Sequence, residues 1–118
     1  MKLEREMMRG AAPTAVMQVL SGGEKYGYEL IEALSLQSKG LLGIGQSTLY
    51  PLLYNLEAKG LVISRMDHTG MRPRRFYRLT QRGRRKLADD TKQWQTLWEA
   101  FHSLGLTGAP AGASGVAR

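Results

Sequence analysis

The sequence predicts a mainly α fold with one small β-hairpin. Three observations carry that reading. Glycine-bounded helical segments fill the first half of the chain. The pattern turns strand-like over residues 61–80. It returns to a helical one over residues 81–104, with large apolar residues seven apart. A chain of 118 residues is one domain's worth of protein, and 42% apolar content suffices for one modest core.

Residues 1–10 place Leu3, Met7 and Met8 at helical spacing with charges between them. Such a short amphipathic arm is weak in water and orders only against other parts of the fold. Pro13 suits a first helical turn, where its missing N–H costs little, so the first helix is expected to start late or to kink there. Val16, Val19 and Leu20 form one face, and Gly22 and Gly23 stop the helix. A second helix is expected over residues 26–39, with Leu30, Ile31 and Leu34 inward and Gly40 at its end. The short LLGIG stretch, 41–45, reads as a connection with a scrap of strand.

The third helix is the clearest. In QSTLYPLLYNLEAKG, Leu49, Leu52, Leu53 and Leu56 fall at i, i+3, i+4 and i+7, one apolar stripe. Ser47 is suited to cap its start, Lys59 favours its C-terminal dipole, and Gly60 supplies the turn that follows. Pro51 falls near the first turn, where a missing N–H does least harm. Residues 61–66 and 74–80 are β-prone, and DHTGMRP between them holds the turn residues Gly70 and Pro73. They read as a hairpin with a loop longer than a tight turn.

In the last helix, 81–104, Leu87, Trp94 and Phe101 are spaced by seven, and Leu97 and Leu104 repeat a second row that Asp90 interrupts. Rows of this kind ask for a partner surface, another helix or a second chain. The tail, 105–118, is rich in Gly, Ala, Pro and Ser and is expected to be disordered.

Helix, helix, helix and hairpin is the order of a winged helix-turn-helix, here followed by a long helix. The winged domain is expected over 1–80 and the dimerisation helix over 81–104. In this architecture the third helix enters the major groove of double-stranded DNA and the hairpin touches backbone or minor groove. That requires an apolar back and a hydrogen-bonding front. Gln46, Ser47, Thr48, Tyr50, Tyr54 and Asn55 lie largely away from the leucine stripe.

Charge placement agrees. The chain carries +7, and from Arg65 to Lys86 nine basic residues face one acid, Asp67. The positive excess therefore sits in the hairpin and the start of the last helix, a local cluster of the kind that phosphate binding needs. Arg72 stands at the hairpin tip. Arg74 and Arg75 alternate across the strand, so only one of them faces DNA directly.

Other classes are disfavoured. Without cysteine there are no disulfides, zinc fingers or thiol catalysis, and a reducing, cytoplasmic setting fits. No apolar run approaches the ~20 residues of a membrane span, and the start lacks the apolar stretch of a secretion signal. His68 and His102 are far apart, and adjacent Asp89 and Asp90 point to different helix faces. No cofactor, metal site or catalytic pair is expected. The alternative to a DNA-binding regulator is a winged-helix module for a protein or RNA partner, since the same basic segment serves any acidic surface.

Three stretches, YGYELI (26–31), STLYPLLYNLEAKGLV (47–62) and RRFYRLTQRG (74–83), resemble the PadR family of transcriptional regulators, in its small subgroup with a single C-terminal helix. The resemblance covers about residues 5–104. It implies a homodimeric repressor whose last helix crosses to the partner subunit and whose operators are inverted repeats, with reading helices ~34 Å apart. It also implies that Trp94 lines an apolar cavity at the dimer centre, where a flat hydrophobic small molecule stacks, with Met7, Met8, Trp98 and Phe101 around it. Packing in the dimer core is the plainer role for Trp94. Tyr28 reads either as core with its hydroxyl at the surface or as a phosphate ligand. Tyr50 reads as a phosphate or base contact, or as packing against a neighbouring helix. The hairpin tip HTGMRP, with Pro73, and Phe76 in place of the commoner tyrosine depart from the family pattern.

Overall fold

The structure, a computed structural model, describes residues 1–106. The disordered tail expected over 105–118 lies, from residue 107 on, outside them. The elements are α1 (Arg5–Leu20), β1 (Lys25–Tyr26), α2 (Gly27–Gln37), α3 (Gln46–Ala58), β2 (Val62–Asp67), β3 (Arg74–Leu79) and α4 (Gln81–Ser103). The three strands form one antiparallel sheet in the order β1-β3-β2. The chain divides into two compact units, one ending at Ala88 and one beginning at Asp89.

In the first unit the core joins α1, α2 and α3 to the inner face of the sheet. Val16, Met17 and Leu20 from α1, Leu30 and Leu34 from α2, and Leu49, Leu53 and Leu56 from α3 are buried together with Val62, Tyr77 and Leu79. The predicted stripes of all three helices are thus the buried ones, with Ile31 and Leu52 only partly covered.

One expectation about α1 is corrected. It does not begin at Pro13; it begins at Arg5, takes in most of the arm and carries Pro13 inside. A mid-helix proline costs about 3 kcal/mol. Ala12, Val16, Met17, Val19 and Leu20 are all buried on this helix, and each large apolar side chain returns roughly 1.5–3 kcal/mol. Burial therefore outweighs the proline. The residue whose carbonyl Pro13 leaves without a donor, Arg9, is exposed, so water can reach it.

The connection 41–45 holds no strand. The extra strand is instead β1, whose Lys25 and Tyr26 pair with Tyr77 and Phe76 of β3. Ser47 does not cap α3 either. Gly45 is the N-cap, its carbonyl accepts from the Thr48 and Leu49 N–H groups at 3.2 and 3.0 Å, and Ser47 lies within the first turn.

The far end of α3 matches expectation. Gly60 takes φ +74°, a conformation that glycine adopts without a Cβ penalty. Its N–H donates to the Glu57 carbonyl and the Leu61 N–H donates to the Leu56 carbonyl, both at 2.9 Å, which closes the helix. Leu61 then enters the core. Thr80 joins this corner to α4: its Oγ1 donates to the Gly60 carbonyl at 2.7 Å and accepts from the Gly83 N–H at 2.9 Å. Gly83 is buried against the Leu61 carbonyl, which a Cβ there would approach to 2.0 Å.

Leu87 is 9% exposed and belongs to the core of this first unit. It is therefore not part of an outward dimerisation row, as its spacing suggested. The heptad count carried it across the point where α4 leaves the core. In the second unit, Trp94, Leu97, Trp98 and Leu104 are exposed and Phe101 is partly covered. Gly105 and Leu106 close α4, with the Leu106 N–H donating to the Phe101 carbonyl at 2.9 Å.

Candidate nucleic-acid interface

With Leu49, Leu53 and Leu56 inward, the 100° step of a helix divides the rest of α3 into three sides. Ser47 and Tyr54 lie opposite the core, and Tyr54 is 78% exposed. Thr48, Pro51, Leu52 and Asn55 line one flank, a groove of about 990 Å³ whose other wall is the segment before α1 and the first half of that helix, including Leu3, Met8 and Pro13. Tyr50 and Glu57 lie on the other flank. Gln46 is exposed at the start of the helix. The hydrogen-bonding front is thus narrower than the sequence suggested, because Thr48 and Asn55 face the groove.

Tyr50 is partly structural. Its hydroxyl oxygen lies over Gly27, 2.2 Å from where a Cβ would stand, so the glycine of YGYELI is the seat of this tyrosine. That is the helix-packing role, with the ring still 43% exposed. Tyr28, at 58% exposure, is a surface residue and not core.

Register sorts the arginines of the hairpin. Ser64 pairs with Tyr77 and Met66 with Arg75, whereas Arg65 pairs with Phe76 and Asp67 with Arg74. Directly paired residues share a face, so Arg75 lies on the face of buried Tyr77 and Arg74 on the opposite one. On that outer face the Arg74 guanidinium stacks 4.7 Å from the Tyr26 ring centroid, and Arg65 lies 5.0 Å from that of Phe76. Tyr26 and Phe76 meet edge to face at 5.4 Å. Arg65 also forms an ion pair with Glu24, its Nε donating at 3.1 Å, and this hydrogen bond holds the Glu24 carboxyl below its ordinary pKa. On the inner face, Arg75 Nη1 donates to Ser64 Oγ at 3.0 Å, and Ser64 Oγ donates to Glu57 Oε2 of α3 at 2.8 Å. Burial raises the pKa of Tyr77 beside them.

The loop 68–73 is exposed throughout and carries Arg72 at its tip. Asp67 starts it by accepting from the Thr69 N–H at 3.1 Å and Oγ1 at 2.8 Å, which lowers the Asp67 pKa. Sequence reasoning had singled out neither Glu57 nor Ser64. Glu57 stands off the leucine row, which is a signal, but Ser64 becomes informative only once the strand register is known.

Of the residues expected around an effector, Met8 lines the α1–α3 groove, whereas Met7 is 61% exposed and is not among its lining residues. Trp94 and Trp98 belong to the second unit, 42% and 56% exposed. Among the described residues, no cluster of acidic and histidine side chains could hold a metal ion, and no helix is long and apolar enough to cross a membrane.

Three helices, a small antiparallel sheet with an arginine-bearing wing and a long final helix define a winged helix-turn-helix regulator. The profile of the Transcriptional regulator PadR-like family matches residues 16–89, and the chain belongs to that family. It is 33% identical over 93 residues to the transcriptional regulator Rv3488 of Mycobacterium tuberculosis, a match that covers 79% of this chain and 84% of that protein. A PadR family transcriptional regulator from Eggerthella lenta superimposes with a TM-score of 0.75 at 37% identity, covering 87% of this chain and 88% of that one. A transcriptional regulator from Clostridium thermocellum shares the fold, with a TM-score of 0.78 at 24% identity over 83% of this chain and 96% of that one.

Proposed function

We propose that two copies of this chain form a cytoplasmic repressor that binds an inverted-repeat operator in double-stranded DNA. The observation that carries this reading is the position of Arg75. It is hydrogen-bonded on the α3 side of the sheet, so the exposed front of α3 and the basic wing adjoin. Ser47, Tyr54 and Gln46 then read bases, and Arg72 and Arg75 hold phosphates. Arg74, stacked on the outer face, adds to the field without direct contact.

The dimer is supported by α4 beyond Ala88. Trp94, Leu97, Trp98 and Phe101 stand at i, i+3, i+4 and i+7, one apolar stripe on a helix otherwise polar there. An exposed stripe with two tryptophans marks an interaction surface. A flat hydrophobic small molecule that binds between the tryptophans of the dimer releases DNA only if it prefers one dimer geometry, because equal affinity for both shifts nothing.

The test is a binding titration against inverted-repeat duplexes and a matched RNA at two salt concentrations. We expect preference for duplex DNA and an affinity that falls steeply with salt. A flat salt response with no preference over RNA refutes the reading and favours a protein or RNA partner. Trp94→Ala is expected to leave the winged domain folded while weakening self-association and the binding of a flat aromatic dye. Unchanged light scattering together with unchanged dye titration would sink that role for Trp94.

A further inference from the structure

We infer that Glu57, acting through Ser64, is the positioning residue that aims Arg75 at the DNA backbone. This rests on the DNA-binding reading above.

The hydrogen bonds form a directed chain. Ser64 has one hydroxyl proton and gives it to the Glu57 carboxylate at 2.8 Å. Its lone pairs are thereby turned toward Arg75, whose Nη1 donates to them at 3.0 Å. A carboxylate at the far end strengthens both bonds by polarising the hydroxyl between them. Only one of the five guanidinium N–H groups is committed here, so the rest of the fork remains for a phosphate.

Arg65 and Arg74, on the opposite face of the hairpin, are held differently. Arg65 is committed to Glu24 and Phe76, and Arg74 lies over Tyr26 on the outer face. Arg75 alone among these three is tied to α3. The tie crosses from helix to wing, so it fixes the distance between base-reading and phosphate-holding parts. A long, exposed arginine would otherwise sample many rotamers and lose that freedom on binding. Glu57 itself is partly covered, on a flank of α3, and supplies no contact to a phosphate.

The sign of its effect separates two roles. As a mere negative charge near a polyanion, Glu57 weakens binding, and removing it tightens the complex. As an anchor for Arg75, it strengthens binding, and removing it loosens the complex.

The experiment is a double-mutant cycle read by fluorescence anisotropy on a labelled mixed-sequence duplex of about 30 base pairs, since phosphate contacts do not depend on sequence. Ser64→Ala and Glu57→Ala are each expected to weaken binding by roughly three- to tenfold, the net size of one ordinary hydrogen bond. Neither should weaken it further in an Arg75→Ala background. Ser64→Thr, which keeps the hydroxyl on a strand that suits β-branched residues, should restore most of the affinity. Melting curves on each variant keep a fold defect apart from a binding defect. Should Ser64→Ala unfold the chain, the Glu57–Arg75 cycle decides alone. Equal losses with and without Arg75, or tighter binding by Glu57→Ala in the otherwise unchanged chain, would overturn the inference while leaving the DNA-binding reading standing. Absence of any duplex binding by the unchanged chain overturns both.

Discussion

Gly83→Ala should lower the melting temperature by more than about 10 °C, a loss of roughly 2–3 kcal/mol in a domain of this size. The added Cβ would stand 2.0 Å from the Leu61 carbonyl oxygen and 3.0 Å from the Leu79 side chain. The first of these is backbone, fixed on both sides. Leu61 N–H donates to Leu56, and its carbonyl accepts from the Thr80 N–H at 3.1 Å. Relief therefore requires α4 to lift from β2, which breaks the Thr80 hydrogen bonds and uncovers Leu87. Gly27→Ala provides the contrast. Its obstacle is the end of the Tyr50 side chain, which can swing outward. The stability loss there should be smaller, with the damage appearing in Tyr50 placement. A thermal melt of both variants checks the order. An unchanged melting temperature for Gly83→Ala would show that the junction yields freely.

Arg72→Ala and Arg75→Ala should each weaken DNA binding about tenfold, and by a similar factor on every sequence. Each should also reduce the slope of log affinity against log salt by about one, because a phosphate no longer neutralised releases no counterion. Arg72 stands at the exposed tip, and Arg75 on the face shared with α3. Arg74→Ala should cost less, since its guanidinium already lies on the Tyr26 ring. A change on the α3 front, such as Tyr54→Phe, should act instead at a few base pairs and leave the slope alone. Titrations at several salt concentrations on an operator and a scrambled duplex separate the two patterns. If the wing variants lost sequence preference and kept the slope, the roles of wing and helix would be exchanged.

Much of the fold was legible because period carries it. The leucine row of α3, the hairpin and α4 all stand close to where spacing put them. The failures have local causes. A two-residue strand such as β1 is too short to show any period, and it exists only because β3 offers it an edge. Pro13 suggested a helix start, but the apolar residues on both sides of it pack as one face. Ser47 was a plausible cap by residue type, whereas Gly45, two residues earlier, took the job without a side chain. Leu87 had the right spacing for an outer row and yet lies in the core. The candidate interface was legible as charge and as a polar helix front. The division of labour among its arginines was not, because it depends on which face of β3 each one occupies.

The corner at Leu61 and the loop 68–73 tolerate change in chain length very differently. One residue added or removed between Ala58 and Val62 would slip β2 along β3 and turn its inner side chains to solvent. An insertion among residues 70–73, all of them exposed and beyond the Asp67–Thr69 turn, mainly changes how far Arg72 extends. Lengthening or trimming that tip is therefore an inexpensive route by which descendants of one ancestral regulator could acquire new binding sites while the hydrophobic interior passes from generation to generation unaltered.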